Sequence, residues 1–308
     1  MNWKISALVG FLCVLSCKGL PEQELQKETK TYVIEAAALK ANFNSKGIKI
    51  LDLSKKEVYQ NEHIEGAMHL ERKDITDSTY AYNGIMASKT QIEALFSKLG
   101  ISTKDTLVLY DDIGLCEAAR LWWILQNYNF ENVQLLHGGL EAWKAVNGQV
   151  SNTIPTTVSS TFKLPEESSM QYYISKTEVS QALNDTVVLL DTRTRDEFLG
   201  HTQKKGATKA GRIPHSVNID WAEAINYNTD KTFKPKATLE TIYNTLNCKK
   251  NDLIIVYCHS GVRSAHTTFV LTQLLGYTNV KNYDGSWTEW SYDTTLPYEK
   301  DSKTLTTH

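Results

Sequence analysis

The stretch that decides the fold is Leu253-Ile254-Ile255-Val256-Tyr257-Cys258-His259-Ser260-Gly261-Val262-Arg263-Ser264-Ala265. Its first five residues are a continuous apolar run rich in β-branched side chains, as in a strand of a parallel sheet covered on both faces. Residues 265–275 then place apolar side chains at helical spacing. A buried strand that turns through a short polar loop into a helix is the repeating unit of an α/β sheet. In such sheets ligands bind beyond the carboxyl ends of the strands, which is where Cys258 stands.

A loop that curls into a helix N-terminus points backbone N–H groups at its centre, and their dipoles favour an anion there. A thiol in that ring is expected to ionise below the free value of about 8.5. Arg263 adds a permanent charge and a planar fork suited to an oxyanion, and Gly261 permits the tight curl. A buried, inert core thiol is the alternative for Cys258, and it fits neither the loop position nor the cation.

Working outward, the chain repeats itself. Ile50-Leu51-Asp52-Leu53 is echoed by Leu189-Leu190-Asp191-Thr192, and His63-Ile64-Glu65-Gly66-Ala67 by Arg212-Ile213-Pro214-His215-Ser216. Thr106-Leu107-Val108-Leu109-Tyr110 is echoed by residues 253–257, and His137-Gly138-Gly139-Leu140-Glu141-Ala142-Trp143 by Asp284-Gly285-Ser286-Trp287-Thr288-Glu289-Trp290. Tyr110 and Tyr257, like Gly138 and Gly285, stand 147 residues apart. One offset held over that distance argues for duplicated domains. Helical periodicity over 88–99, 118–128, 238–246 and 265–275 alternates with the short apolar runs, so each copy is read as α/β, a mainly parallel sheet with helices on both faces. At the same offset Asp111 replaces Cys258 and Cys116 replaces Arg263. The first loop therefore has neither nucleophile nor cation of its own, and the first domain is expected to be inert. Trp122, Trp123, Trp143 and Trp290 are read as packing residues.

The boundaries follow. Residues 31–150 form the inactive domain, 151–170 a linker rich in Ser, Thr and Pro, 171–298 the catalytic domain, and 299–308 a polar, disordered tail. Ahead of these, Lys4 precedes an apolar run over 5–15 that is too short to span a membrane and ends in Val14-Leu15-Ser16-Cys17. The junction resembles the bacterial lipoprotein processing box. Residues 1–17 are read as a signal peptide ending at a lipidated Cys17 and 18–30 as a tether, the alternative being an ordinary secretory signal with a chance cysteine. This places the chain in the bacterial cell envelope, on the periplasmic side in a Gram-negative cell, touching the membrane only through its lipid.

With 33 Lys and Arg against 35 Asp and Glu, the net charge of −2 offers no basic face for nucleic acid. Of five cysteines, Cys13 and Cys17 fall in the leader, leaving Cys116, Cys248 and Cys258. That odd, sparse set suits no disulfide framework, and no C-x-x-C or zinc spacing is present. No cofactor or metal is expected, and a monomer is the expected state.

The loop 258–264 resembles that of the rhodanese family, and the paired domains, Asp191-Thr192-Arg193, 212–218 and 284–290 fit its tandem form. The resemblance implies that Cys258 is the nucleophile that carries sulfur as a persulfide. Arg193 and Arg263 are then donor-binding cations, and His259, Ser260, Gly261 and Val262 line the loop with backbone amides. Arg193 has a plainer alternative, pairing with the strand-end Asp191. Arg212 and His215 depart from the family's His and Gly, in a stretch that is chiefly structural. The implied partners are a small anionic sulfur donor and a thiophilic acceptor. Arg263 resembles thiosulfate-using members, whereas Ser260-Gly261-Val262 resembles those using 3-mercaptopyruvate; thiosulfate is favoured. A related phosphatase loop has five residues between Cys and Arg, and here there are four. A persulfide-sensing lipoprotein without turnover is the rival from outside the enzymes.

Overall fold

The computed structural model describes residues 31–183 and 186–301. The proposed signal peptide, Cys17, the tether and residues 302–308 lie outside the described residues. Every strand of the two main sheets runs parallel to its neighbours. In chain order the first half contains β1 (Val33–Ile34), α1 (Ala36–Asn42), β2 (Ile48–Asp52), α2 (Lys56–Asn61), β3 (His63–Ile64), β4 (Met68–His69), α3 (Lys89–Lys98), β5 (Thr106–Tyr110), α4 (Cys116–Asn127), β6 (Val133–Leu136), α5 (Gly139–Ala145) and β7 (Val150–Ser151). The second half contains β8 (Tyr173–Ile174), α6 (Lys176–Ala182), β9 (Val188–Asp191), α7 (Arg195–Leu199), β10 (Val217–Asn218), α8 (Lys236–Tyr243), β11 (Ile254–Tyr257), α9 (Val262–Phe269), β12 (Val280–Tyr283) and α10 (Ser286–Tyr292). The sheet orders are β1-β6-β5-β2-β4 and β10-β9-β11-β12-β8, with the loop-bearing strands β5 and β11 central in each.

The apolar runs become these strands because both faces of the sheets are covered: all four residues of β11 are buried. Helix starts follow local chemistry. Ser88 accepts from the Gln91 amide while the Gln91 side chain accepts from the Ser88 amide, a capping box that opens α3. Two helices begin before their apolar periodicity. Leu115 (φ +68°) and Gly261 (φ +75°) turn the chain directly out of the loops into α4 and α9. The periodic stretch 265–275 is also not one α-helix, since α9 passes at Val270 into a wider π-helical turn.

Details confirm the duplication. The hydroxyls of Tyr110 and Tyr257 accept from the amides of Ile64 (3.1 Å) and Ile213 (3.2 Å). His215 has φ +62° where the first half has Gly66 at φ +75°, a conformation that carries a penalty for a residue with a Cβ. Arg212 packs over Phe198 and pairs with Glu299 and Asp301. Backbone bonds between Arg212 and Glu299 continue this contact. Residues 299–301 are thus fastened to the second half, contrary to the disordered tail expected from 299 onward.

The linker is also fastened. β7 pairs antiparallel with β3, the Ser160 amide donates to the Ser97 carbonyl, and Phe162 packs against Phe96 and Phe130. Between the halves, α4 packs on α9, with Trp122 edge-on to Phe269 at 4.8 Å between ring centres. The larger of two hydrophobic clusters draws residues from both halves, and a smaller one lies within the second.

Candidate active site

Cys258 sits at the carboxyl end of β11 with its side chain buried. Ser286, at the start of α10, braces the loop from behind. Its hydroxyl accepts from the amides of Cys258 (3.1 Å) and Gly261 (3.0 Å) and donates to the Tyr283 carbonyl (2.7 Å). The Gly261 amide is therefore used inside the protein, a correction to the expectation that it lines the loop for a ligand. The amides of Ser260 and Ser264 address the sulfur, and the Ser264 hydroxyl lies 3.4 Å from it. Burial pushes the Cys258 thiol up, but Arg263 and these donors outweigh it and hold the thiol below its ordinary range.

The first-half loop shows what such a ring is built to hold. Asp111 Oδ1 accepts from the amides of Ile113 (2.9 Å) and Leu115 (2.8 Å), and Oδ2 from those of Glu117 (2.7 Å) and Ala118 (3.0 Å). By the 147-residue offset, Ile113 and Glu117 correspond to Ser260 and Ser264, whose amides face the sulfur. The carboxylate fills the first ring, leaving no place for a ligand in it. Burial pushes the Asp111 carboxyl up to about 7, with the amides pulling the other way. Cys116, buried at the start of α4, is raised well above the usual thiol range by burial and by neighbouring carboxylates.

The two cations are placed differently from each other. Arg263 is largely buried, its side chain 14% exposed. Its Nη1 and Nη2 form a fork with Glu197 at 2.7 and 2.9 Å. Burial raises the Glu197 carboxyl, but Arg263 more than offsets this and takes it to about 2. Arg193 takes the plainer of its two readings. Its Nε bonds both Asp191 oxygens at 3.0 Å, its Nη2 reaches Asp191 (2.6 Å) and the Gly211 carbonyl (2.7 Å), and it stacks over Trp287. It is a buried strand-end brace, and the expectation of a donor-binding cation there is corrected. His259 is buried, its Nε2 3.0 Å from the Lys205 carbonyl, and its carbonyl accepts from Thr288. Burial above all lowers its imidazole to about 4. Ser260 lies against Gly84 of the first half. Val262 opens α9.

Glu197 and Arg72 are among the charged residues that escape a reading of the sequence alone. Glu197 belongs to the capping box Thr194-Arg195-Asp196-Glu197, so its spacing signals a helix start and says nothing of Arg263. Arg72 comes from the first half, forks onto Glu117 through Nε and Nη2, and is half exposed. Its charge is felt at both Cys116 and Cys258.

Two stacked copies of one α/β unit, with a thiol in one anion ring and a carboxylate in the other, define a class of tandem-domain proteins built around a reactive sulfur. The chain belongs to the rhodanese family: the rhodanese-like domain matches it twice, over residues 35–146 and 175–293. The thiosulfate sulfurtransferase of Corynebacterium glutamicum is 31% identical over 282 residues, spanning 88% of this chain and 91% of that protein. The sulfur carrier protein TtuD of Thermus thermophilus is 33% identical over 253 residues, 79% of this chain and 87% of that one. The structure of SseA from Escherichia coli, described among 3-mercaptopyruvate sulfotransferases, superposes with a TM-score of 0.73 at 24% identity. It covers 84% of this chain and 99% of SseA, and at that identity the likeness concerns the fold.

Proposed function

We propose that this chain, a sulfurtransferase of the rhodanese type, takes sulfur from thiosulfate and carries it on Cys258. The observation that carries this reading is a thiol held below its ordinary range in a ring whose duplicate grips a carboxylate with four N–H groups. The Cys258 thiolate attacks the outer sulfur of thiosulfate. A new S–S bond forms as the old one breaks, and sulfite leaves with the electron pair. A thiophilic acceptor, cyanide or a thiol, then attacks the outer sulfur of the persulfide and displaces the Cys258 thiolate. Arg263 uses one N–H of each Nη for Glu197 and keeps the others for the sulfonate, while Arg72 adds charge from the first half. The name of the Corynebacterium relative supports the same donor.

The test is intact-mass analysis with side-by-side kinetics. Thiosulfate should add one sulfur to the native chain and none to Cys258→Ser, because a hydroxyl cannot carry sulfane sulfur. Equal loading of both would remove Cys258 from the reaction. Sulfite release should exceed pyruvate release when thiosulfate and 3-mercaptopyruvate are compared at equal concentration; the reverse would change the donor and leave Cys258 in place. Loading without turnover to any acceptor would favour a sensing role. The sequence 14–17 further supports a lipid on Cys17 and an envelope location. Cys17→Ser should then move the protein from the membrane fraction to the soluble fraction.

A further inference from the structure

We propose that Arg120, contributed by the first half, is a positioning residue for the sulfur chemistry, fixing the peptide unit that aims an N–H at the sulfur of Cys258. This rests on Cys258 being the sulfur carrier. Arg120 lies on α4, is buried, and stacks on Trp123 at 4.7 Å. Its Nη1 donates to the Gly261 carbonyl at 3.3 Å and its Nη2 to the Gly84 carbonyl at 2.8 Å, while Nη1 also stands 2.5 Å from Asp284 Oδ1. One side chain thus joins the active loop, the first-half segment lying over it, and the stretch that leads into the bracing Ser286. Asp284 Oδ2 in turn accepts from the Met86 amide at 2.8 Å, closing the connection back to the first half.

The Gly261 carbonyl also accepts from Asn282 Nδ2 at 3.1 Å and, as the residue that caps α9, from the Ala265 amide at 3.3 Å. In a trans peptide unit the C=O and the N–H point in opposite directions. The two side-chain donors act with this helical bond to draw the Gly261 oxygen away from the loop centre, and so turn the Val262 N–H of the same unit inward. The first half shows the outcome at the equivalent position: the Leu115 amide is the one that reaches Asp111 Oδ1 at 2.8 Å. Gly261, at φ +75° and without a side chain, leaves the Ala265 amide at 3.3 Å as the backbone's own hold on this orientation, and the two side chains tighten it. The docking leaves no slack. A Cβ on Gly261 would stand 2.5 Å from the Asp284 carbonyl and 2.9 Å from Arg120 Nη1, and one on Gly84 would stand 2.6 Å from Ser260 Cβ. The inert half thereby holds the reactive loop of the other.

The experiment follows alkylation of Cys258 by iodoacetamide against pH, counting the modified peptide by mass, so that no sulfur donor is involved. Arg120→Lys keeps a cation for Asp284 but cannot fork to both carbonyls. Arg120→Met with Asp284→Asn removes both buried charges together and serves if the single variant does not fold. The alkylation midpoint should rise by about half to one unit, which slows the reaction about three- to tenfold at pH values below the midpoint, and sulfur loading from thiosulfate should slow in parallel. Tyr128→Phe, which deletes another buried first-half hydrogen bond, to the Ala87 carbonyl, should leave the midpoint where it is. An unmoved midpoint in the Arg120 variants overturns the inference. So does an equal shift in Tyr128→Phe, which would reflect general loosening. If thiosulfate loads no sulfur while the midpoint still moves, the donor assignment fails and the positioning role stands.

Discussion

Arg263 and Glu197 form a largely buried fork beside the sulfur, and this ties activity to stability at one position. Removing the cation strips charge from a bound oxyanion, typically about 1.5–3 kcal/mol or tenfold to a hundredfold in efficiency. It also strands Glu197. Arg263→Ala is therefore expected to lower both kcat/KM with thiosulfate and the melting temperature. Arg263→Ala with Glu197→Gln should recover most of the stability and none of the efficiency. Thermal melts alongside kinetics separate the two. The pair has a pH signature as well. The folded Glu197 carboxyl lies at about 2, below its ordinary 4.5, so its contribution is full above pH 4.5 and is lost as pH falls toward 2. For His259, lowered to about 4 chiefly by burial, the imidazole is neutral throughout the working range. The pH profile of kcat/KM should show no limb near 6.5, and His259→Asn should lose far less than the roughly hundredfold that deleting a general acid or base costs. Cys258, Gly261 and Arg263 were legible together because they fall within one six-residue stretch. Glu197, Arg120 and Arg72 come from distant elements, and no spacing rule connects them to the loop.

At the level of elements, the two strand–loop–helix units keep one geometry around different anions. Asp111 contributes two oxygens to four amides, and Asp111→Asn would set an NH₂ against N–H donors. An unsatisfied buried group typically costs about 1–3 kcal/mol, which chemical denaturation would read directly. Asp111→Cys in a Cys258→Ala background is expected to show no turnover with thiosulfate. Glu117, at the position of Ser264, puts negative charge beside that ring, and Cys116 replaces the arginine. Substantial turnover would show the first loop to be organised for catalysis. The periodicity of the sequence located the α4 and α9 helices but not their starts, since left-handed turns at Leu115 and Gly261 set those, not apolar spacing. Ser286 illustrates the same limit. It stands at φ +52° where the first copy has Gly139 at φ +54°, and its hydroxyl, hidden in an otherwise glycine-like position, is what braces the loop.

Across the whole molecule, the shared 147-residue offset made the duplication legible, because from the end of the central strand to the turn before α5 or α10 both copies keep the same chain length. How the copies join was less legible: Trp122 and Trp123 read as packing residues, but a tryptophan's partner is not written in its neighbours. In the structure Trp122 is fully buried between Tyr172 and Phe269, and the core it belongs to draws residues from both halves. Two domains with no shared core would melt independently; with the larger cluster shared between the halves and a linker fastened along the first, the described chain should unfold in a single transition. Trp122→Ala removes the edge-on ring contact of α4 with Phe269 of α9, and such a truncation typically costs about 3–5 kcal/mol. Because Arg120 lies on the same helix, the loosened α4 should also let the active loop relax. The variant is expected to melt lower in one step by calorimetry and to load sulfur more slowly than the native chain at temperatures where both are folded. Two resolved transitions in the native protein, or a Trp122→Ala variant that melts lower yet loads sulfur at the native rate, would mean that the halves fold apart and that the first contributes only a wall.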